Sequence, residues 1–325
     1  MHNTLYRLFA PPRFLIMPAA GIEISDAFVR ALSFSGSLGT MRVSWWQEEA
    51  LPRGAIVGGT ISDKSAVVEV LKKIRIAHGF NFAHISIPEQ KSYLCELEAP
   101  VASPEEARLT IEPHLEEQVP IRASEAVFDA VLDKQSPALA GSTNRMYRVA
   151  AAQKKIVESY AEVCVTAGIA PLSFDIEAGA ITRAIIGARD SRSLLVVNLS
   201  EDDTGLYVFS DGAVRFASTV PLVAGESVPE EIFRALAGEV TRVREFWETH
   251  GEAGKKIQGV VACGRGAAFP HTLSTLSSTL HLPVEAATVW QNAFSVERAV
   301  PPMSRDESLR FAAPIGLALR YFSYI

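Results

Sequence analysis

The sequence is poor in cysteine, and its cysteines show no spacing typical of a disulfide framework or a zinc site. The 325 residues contain three of them, Cys95, Cys164 and Cys263, each in an apolar segment. Isolated cysteines of this kind are typical of reduced thiols in the core of a cytoplasmic protein. The seven histidines include no pair four positions apart with a glutamate between them, so no metal site is predicted.

Long apolar runs and an excess of positive charge are also missing. No apolar run approaches the roughly 18 to 20 residues that a membrane-spanning helix needs. The net charge is −6, and no basic stripe indicates nucleic-acid binding. No Gly-x-Ser-x-Gly surrounds a serine, so no hydrolase nucleophile and no other catalytic residue is predicted. These absences favour a mildly acidic, soluble protein that binds no nucleic acid.

The sequence does contain two similar units of β-type segments. In each unit a short apolar strand is followed by a polar loop and then by a hairpin. The strands of the first unit are residues 20–24, 28–34 and 40–46, and those of the second are residues 194–197, 205–209 and 214–218. Asp211-Gly212 is a hairpin turn signal, because glycine accepts a positive φ. Two such units predict a duplicated α/β fold with a cleft between its halves.

Capping residues and glycines divide the rest of the chain. Ser62 or Asp63 is expected to cap a helix that Gly79 ends, and Ser103 precedes a proline at a helix start. Gly168 is expected to end a further helix, and the Pro- and Gly-rich residues 51–60 are predicted to be a connection. Helices are predicted over residues 63–77, 103–118, 154–167, 178–186, 231–249, 270–280 and 309–321. The other predicted strands are residues 84–87, 92–97, 126–132, 146–152, 171–176, 258–263 and 282–286.

A glycine-rich turn joins the strand at residues 258–263 to the following helix. Backbone N–H groups at a helix start point outward and often hold phosphate or adenosine groups. Glycine is also common in such connections for packing alone, so both interpretations of Gly264 and Gly266 stay open.

Several segments, in their order along the chain, resemble a known family. They are residues 20–25, 51–63, 111–120, 167–177, 261–267 and 315–320. The first resembles the opening strand of the actin, sugar-kinase and Hsp70-like superfamily. The whole set, from about residue 17 to residue 321, more narrowly resembles the PilM family of type IV pilus assembly proteins.

This resemblance implies a duplicated actin-like, ribonuclease H-like α/β fold with two lobes. The first half would carry an inserted small α+β subdomain, and the helical subdomain of the second half would be reduced. The implied division is an N-terminal arm (residues 1–18), a first lobe (residues 19–83 and 153–190), a partner-binding insertion (residues 84–152) and a second lobe (residues 191–325).

The resemblance also implies a partner and a location. The chain is expected to bind the cytoplasmic N-terminal tail of a PilN-like membrane protein, in a groove that involves the inserted subdomain. It would thereby link the inner-membrane pilus platform to the motor ATPase, at the inner face of the cell membrane through its partner. A homo-oligomer stays open.

A nucleotide site, if retained, would use residues that the resemblance places in the cleft. They are Glu23, Ser25, Asp26, Arg30, Asn198, Ser200, Thr204, Gly225, Gly264, Arg265, Gly266 and Gly316. Glu23 and Asn198 stand where the family has aspartate, and Ser25 and Ser200 where it has glycine. An amide supplies no charge to a Mg²⁺ shell, and a Cβ at Ser200 crowds a phosphate. The sequence therefore predicts a degenerate site that requires no cofactor, with low-affinity binding of ATP and Mg²⁺ as the alternative.

Two other functions stay open as alternatives to this function as an adaptor between the pilus platform and the motor. An ATPase or kinase of the actin-like superfamily would need an acid at Asn198 and a catalytic aspartate, and the sequence points to neither. A membrane-associated homologue of the cell-division actin protein is the other alternative.

Overall fold

A computed structural model of the chain describes residues 19–36, 41–100, 103–133, 144–222, 230–251, 255–294 and 299–320. The predicted N-terminal arm, residues 1–18, and Gly225 lie outside the described residues. Among the helices in the described ranges, none combines the length and the apolar character that crossing a bilayer requires.

The described chain alternates strands and helices. The strands are β1 (Ala20–Ile24), β2 (Phe28–Ser35), β3 (Arg42–Ala50), β4 (Ile56–Val57), β5 (Thr60–Ile61), β6 (Phe82–Ile87), β7 (Ser92–Pro100), β8 (Ala126–Leu132), β9 (Asn144–Gln153), β10 (Ala170–Ile176), β11 (Leu194–Leu199), β12 (Thr204–Ser210), β13 (Ala213–Val220), β14 (Gly259–Cys263) and β15 (Val284–Ala286). The helices are α1 (Lys64–His78), α2 (Pro104–Ile111), α3 (Leu115–Gln118), α4 (Lys154–Thr166), α5 (Glu177–Ile185), α6 (Glu230–His250), α7 (Pro270–Leu280), α8 (Arg305–Ser308) and α9 (Ala312–Arg320).

Two five-stranded sheets have the same strand order and the same pairing directions. The first has the order β3-β2-β1-β6-β10 and the second β13-β12-β11-β14-β15. In each sheet the first three strands pair antiparallel and the last two join in parallel. β1 and β11 are buried along their whole length, as expected for central strands that are covered on both faces. The predicted duplication is thus present in the described chain.

The helices α5 and α9 lie between the two sheets. α9 contacts β1, β2 and β6 of the first sheet, and α5 contacts β12 and β13 of the second. The helices also contact each other closely, because a Cβ at Gly316 would lie 1.7 Å from the carbonyl oxygen of Ala180. On the other side of α9, a Cβ at Gly21 would lie 2.0 Å from the carbonyl oxygen of Pro314. Both glycines are therefore required by backbone packing.

The insertion is a three-stranded antiparallel sheet of order β7-β9-β8. Residues from alternate positions of the sheet, including Tyr147, Val149 and Ala151, form a separate core with α2 and α3. The predicted boundary at residue 84 falls inside β6, which pairs with β1 and β10 in the sheet of the first lobe. The inserted sheet itself begins at Ser92. The predicted strand at residues 84–87 therefore belongs to the first lobe.

Local signals place most helix ends. The Asp63 side chain accepts a hydrogen bond from the Ala66 N–H, and Gly79 ends α1 in the left-handed conformation. Ser103 forms a capping box with Glu106 at the start of α2. Residues 51–60, which were predicted to be a connection only, contribute β4 to a small hairpin with β5. The predicted C-terminal helix, residues 309–321, is divided into a 3₁₀ turn (Leu309–Phe311) and α9, and the short helix α8 precedes it.

Candidate functional site

The two loops that the resemblance assigns to phosphate binding touch each other directly. The loop after β1 (residues 25–27) and the loop after β11 (residues 200–203) enclose the space that we call the loop cleft. The Ala27 N–H donates a 3.1 Å hydrogen bond to Asp202 Oδ2. Gln90, which precedes β7, donates to the Asp203 carboxylate. Residues of the two halves therefore bridge the cleft without an intervening ligand.

Arg30 on β2 is the centre of an ionic network at this cleft. Its side chain is 3% exposed, and it donates 2.6 Å hydrogen bonds to Glu48 and to Glu201. Its Nη1 lies 3.9 Å from Glu23 Oε2. Arg310, from the second half, also donates to Glu48 at 3.1 Å. The network thus joins β2 and β3 of the first lobe to two segments of the second.

Several carboxyl groups in and around the loop cleft are buried. Burial raises the pKa of Glu23 to about 7, although the charge of Arg30 opposes the shift. Burial likewise raises the pKa of Glu89 to about 7 and that of Asp203 to about 6. Burial raises the pKa of Glu177 well above its usual range. Glu23 Oε2 is buried and accepts no hydrogen bond from the described residues. Such a cluster favours protonated carboxyl groups over several adjacent negative charges.

The predicted residues of the first loop are used within the fold. Ser25 Oγ accepts from the Phe28 N–H at 3.0 Å, which shapes the turn between β1 and β2. The Asp26 carboxylate accepts from the N–H groups of Gly58 at 2.5 Å and of Gly59 at 2.9 Å. Both glycines have positive φ in the turn between β4 and β5. Asp26 therefore faces this hairpin, a contact that the sequence did not predict.

The predicted residues of the second half are engaged in a similar way. Asn198 Nδ2 donates to Glu177 Oε1 at 2.9 Å, and Cys263 Sγ lies 3.5 Å from Asn198 Oδ1. Ser200 Oγ donates to Asp203 Oδ1 at 3.4 Å. Thr204 is fully buried at the start of β12 and donates to the Leu222 carbonyl oxygen.

The predicted glycines do not share one role. Gly264 has a φ of 79°, and a Cβ there would lie 2.5 Å from the Leu199 carbonyl oxygen. Arg265 and Gly266 follow in a 3₁₀ turn, with Arg265 exposed and Gly266 buried. Gly316 lies in the contact between α9 and α5 rather than in a loop, and it allows the two helix backbones to approach closely.

The loop cleft contains little free space in this conformation. The free space among its lining residues, which include Glu23, Asp26, Glu177 and Asp202, is about 20 Å³. That volume accommodates roughly one water molecule. Among the described residues, no group of three or more His, Cys, Asp or Glu side chains has the arrangement of a metal site. The residues present do not fit a Mg²⁺-nucleotide in this conformation.

A much larger cavity lies beside the inserted sheet, and we call it the insertion groove. Its volume is about 670 Å³, and residues of β7, β8, β9, β10, β13, α5 and α9 line it. β8, β10 and β13 are each one of the two edge strands of a larger sheet in the described chain. The groove is thus bounded by all three sheets.

One face of the inserted sheet forms a wall of the insertion groove. The register places Leu94, Ala150 and Asp129 in one row across the sheet, and Glu96, Arg148 and Val131 in the next. All of these except Glu96 line the groove. Val131 is 53% exposed although it is apolar. The opposite face is covered by α2, so among the described residues this face is the open one.

Ion pairs fix the walls of the insertion groove. Asp175 at the end of β10 accepts from Arg183 at 2.6 Å and from Arg320 at 2.8 Å. Arg215 on β13 donates to Glu96 at 2.8 Å and also to Asp133. Arg215 therefore attaches the inserted sheet to the second lobe. The sequence predicted the strand at residues 126–132 but gave no signal for which of its faces stays open.

A family model described as type IV pilus assembly protein PilM matches residues 21–235 of the chain. Among solved structures, the chain is similar to a PilM-PilN type IV pilus biogenesis complex at 18% sequence identity and a TM-score of 0.78. That match covers 94% of this chain and 99% of the other. None of the curated proteins matches this chain.

Two further structures are similar at lower scores. The ethanolamine utilization protein EutJ from Carboxydothermus hydrogenoformans has a TM-score of 0.52 and 12% identity, over 96% of this chain and 90% of that one. The cytoplasmic domain of EpsL, an inner membrane component of the type II secretion system of Vibrio cholerae, has a TM-score of 0.51 and 10% identity, over 90% and 93%. Together with the duplicated sheets, these similarities show the actin-like fold.

Proposed function

Because the chain belongs to the PilM family of type IV pilus assembly proteins, we propose that it is a cytoplasmic adaptor that binds the N-terminal tail of a PilN-like membrane protein. The observation that carries this proposal is the insertion groove, which is bordered by edge strands of three sheets. The similarity to the solved PilM-PilN complex supports a partner of this kind.

The shape and chemistry of the groove suit an extended peptide. Its volume of about 670 Å³ lies within the range of about 300 to 1,000 Å³ that is usual for ligand pockets. Edge strands carry unpaired backbone groups that a peptide can satisfy, and side-chain pockets select its sequence. Apolar residues of three elements, Val131, Ile176 and Val214, provide surface for such side chains.

The proposed function does not need a nucleotide. In actin-like proteins a nucleotide lies between the lobes, whereas here Arg30 and Asp202 already bridge them. The loop cleft, with its space of about 20 Å³ and its amide at Asn198, gives no support to an ATPase or kinase. We propose that the site is degenerate and that the adaptor works through its groove.

The proposed location follows from the proposed partner. A tail that emerges from the inner membrane would hold this chain at the inner face of the cell membrane. There it would link the pilus platform to the motor ATPase. The similarity to the cytoplasmic domain of an inner membrane secretion component is consistent with such a position, although at 10% identity it shows the fold alone.

Binding of a tail peptide to the full chain tests this proposal. The probe is a fluorescently labelled peptide with the N-terminal cytoplasmic sequence of the PilN-like protein from the same organism, followed by anisotropy. Val131→Asp places a charge in the groove and is expected to weaken binding by about tenfold or more, which corresponds to at least about 1.4 kcal/mol.

Leu109→Asp is the matched control. Leu109 is 70% exposed on α2, which covers the opposite face of the same sheet, so this variant should bind as the wild type does. Failure of the wild-type chain to bind the peptide would contradict the proposed function. Equal weakening by both variants would contradict the position of the site in the groove.

A further inference from the structure

Arg148 is a cation in the insertion groove for which the described chain provides no acceptor. It lies on β9 between Glu96 on β7 and Val131 on β8, and its side chain lines the groove. Its Nε is buried and makes no hydrogen bond with the described residues. A guanidinium has five N–H donors, and buried polar atoms are almost always paired. A groove-lining guanidinium whose buried Nε has no acceptor in the described chain points to an acceptor that a ligand supplies.

The two carboxylates that act electrostatically on Arg148, those of Asp133 and Glu96, already accept hydrogen bonds from another arginine. Arg215 donates to Glu96 at 2.8 Å and to Asp133. Burial lowers the pKa of Arg148, Asp133 opposes this, and the positive charge of Arg215 adds to the lowering. The positive charge of Arg148 is thus incompletely compensated by the protein. An oxygen acceptor from a ligand would compensate it further.

The other two arginines of the groove are in a different situation. Arg183 and Arg320 both donate to Asp175 on the opposite wall, and Arg183 also donates to the Gly316 carbonyl oxygen at 2.9 Å. These contacts fix that wall. Arg148 differs because it stands on the open face of the inserted sheet, next to the exposed apolar side chain of Val131.

We propose that Arg148 determines the specificity of the groove by donating hydrogen bonds to an oxygen acceptor of the bound tail, beside an apolar side chain that packs on Val131. This inference rests on the proposed function, because it assumes that the tail occupies the insertion groove. The acceptor is a side-chain carboxylate or carboxamide, or a backbone carbonyl. The planar guanidinium suits each of these and offers two parallel N–H groups to a carboxylate.

The test combines peptide affinity with the thermal stability of the free, full chain. Arg148→Met keeps the aliphatic stem and removes the donors, so the Kd of the labelled tail peptide should rise about tenfold or more. Arg148→Lys should bind with intermediate affinity, because it retains one charge but not the fork. The Tm of the free Arg148→Met chain should equal or exceed that of the wild type, since no bond within the protein is lost.

Arg215→Met is the matched control for stability. It removes the bonds to Glu96 and Asp133 and should lower the Tm of the free chain. A fall in Tm of equal size in Arg148→Met would mean that Arg148 is a structural residue, and the inference would be overturned.

The same titrations separate this inference from the proposed function. If the wild type binds and Val131→Asp weakens binding while Arg148→Met does not, the inference is overturned and the proposed function stands. If the wild type does not bind, both are overturned. Peptides in which each Asp, Glu, Asn or Gln is replaced by Ala identify the acceptor. One replacement that weakens wild-type binding but not that of Arg148→Met indicates a side chain, and uniform behaviour indicates a backbone carbonyl.

Discussion

The loop cleft and the insertion groove are two inter-element spaces of one chain, and they are filled in opposite ways. In the loop cleft the buried Arg30 contacts Glu48 and Glu201, and about 20 Å³ of space is left. In the insertion groove about 670 Å³ is open, and Arg148 lacks an acceptor among the described residues. The central arginine of the cleft is paired with carboxylates of the chain, whereas Arg148 of the groove has no hydrogen-bond acceptor among the described residues.

The presence or absence of carboxylate partners for the arginine indicates which of the two spaces is suited to a ligand. A buried arginine with carboxylate partners contributes to holding elements together, and removing one partner leaves costly unpaired charge. A partly buried arginine without partners costs stability until a ligand binds. Under the proposed function, the groove beside the insertion is the binding surface and the space between the lobes is a structural contact.

Replacing the centre of the loop cleft should have the largest effect. Arg30→Met would leave Glu23 and Glu201 without their shared cation in a buried place, and Glu48 would keep only Arg310. Removal of one partner from a buried ion pair typically costs about 3 to 5 kcal/mol. The free energy of unfolding, measured by urea denaturation, should fall by about that amount.

Arg192→Met is the control for Arg30→Met. Arg192 pairs with Asp190 at the surface, where an ion pair contributes about 0 to 1 kcal/mol. Similar losses in the two variants would show that the Arg30 network does not hold the lobes together, and the contrast between cleft and groove would be lost.

A smaller effect is expected from the protonation of Glu23. Its pKa is raised from 4.5 to about 7, so the folded chain keeps a proton that the unfolded chain releases. Glu23 thus contributes stability that is fully present below pH 4.5 and is lost as the pH rises to about 7. Glu23→Gln should remove this loss, so the variant gains stability relative to the wild type across that window. One pKa unit corresponds to about 1.4 kcal/mol, and a gain on the order of 1 to 3 kcal/mol is expected.

The difference between Glu23→Gln and the wild type is the quantity to measure by urea denaturation at several pH values. Burial lowers the pKa of His84 from 6.5 to about 4, so this group changes stability in the opposite direction over an overlapping pH range. The contribution of His84 cancels in the difference. A difference that stays constant from pH 4.5 to 7 would contradict a protonated Glu23 in the cleft.

Local sequence signals predicted much of the fold because they act over a few residues. The Asp-Gly turn, the cap at Asp63 and the capping box at Ser103 each depend on neighbouring backbone groups. Two copies of one strand pattern predicted the duplication for the same reason. The boundary of the insertion was missed because β6 pairs with strands that are distant in sequence.

The contacts of the candidate sites depend on packing between distant segments. The sequence marked Asp26 as a residue of the first loop, but its partners Gly58 and Gly59 belong to a hairpin that formed no part of that prediction. The alternation of β9 separates Arg148 from Val149, yet it does not tell which of the two faces α2 covers. Only the placement of α2 on one face leaves Arg148 in the groove.

The smallest effect is expected from a variant that restores the residue types of the family to the second loop. Asn198→Asp with Ser200→Gly supplies the missing acid and removes a Cβ, but Arg30–Glu201 and Ala27–Asp202 still bridge the loops. A ligand at a hundred times its Kd would add about 2.7 kcal/mol of stability. We expect millimolar ATP with Mg²⁺ to leave the Tm of both the wild type and this variant unchanged. A rise in the variant alone would show that two side chains, rather than the bonds between the loops, exclude the nucleotide. A rise in the wild type would show that the cleft opens to bind the nucleotide. The loop cleft and the insertion groove would then both be ligand sites, and they would differ in the ligand that each one binds.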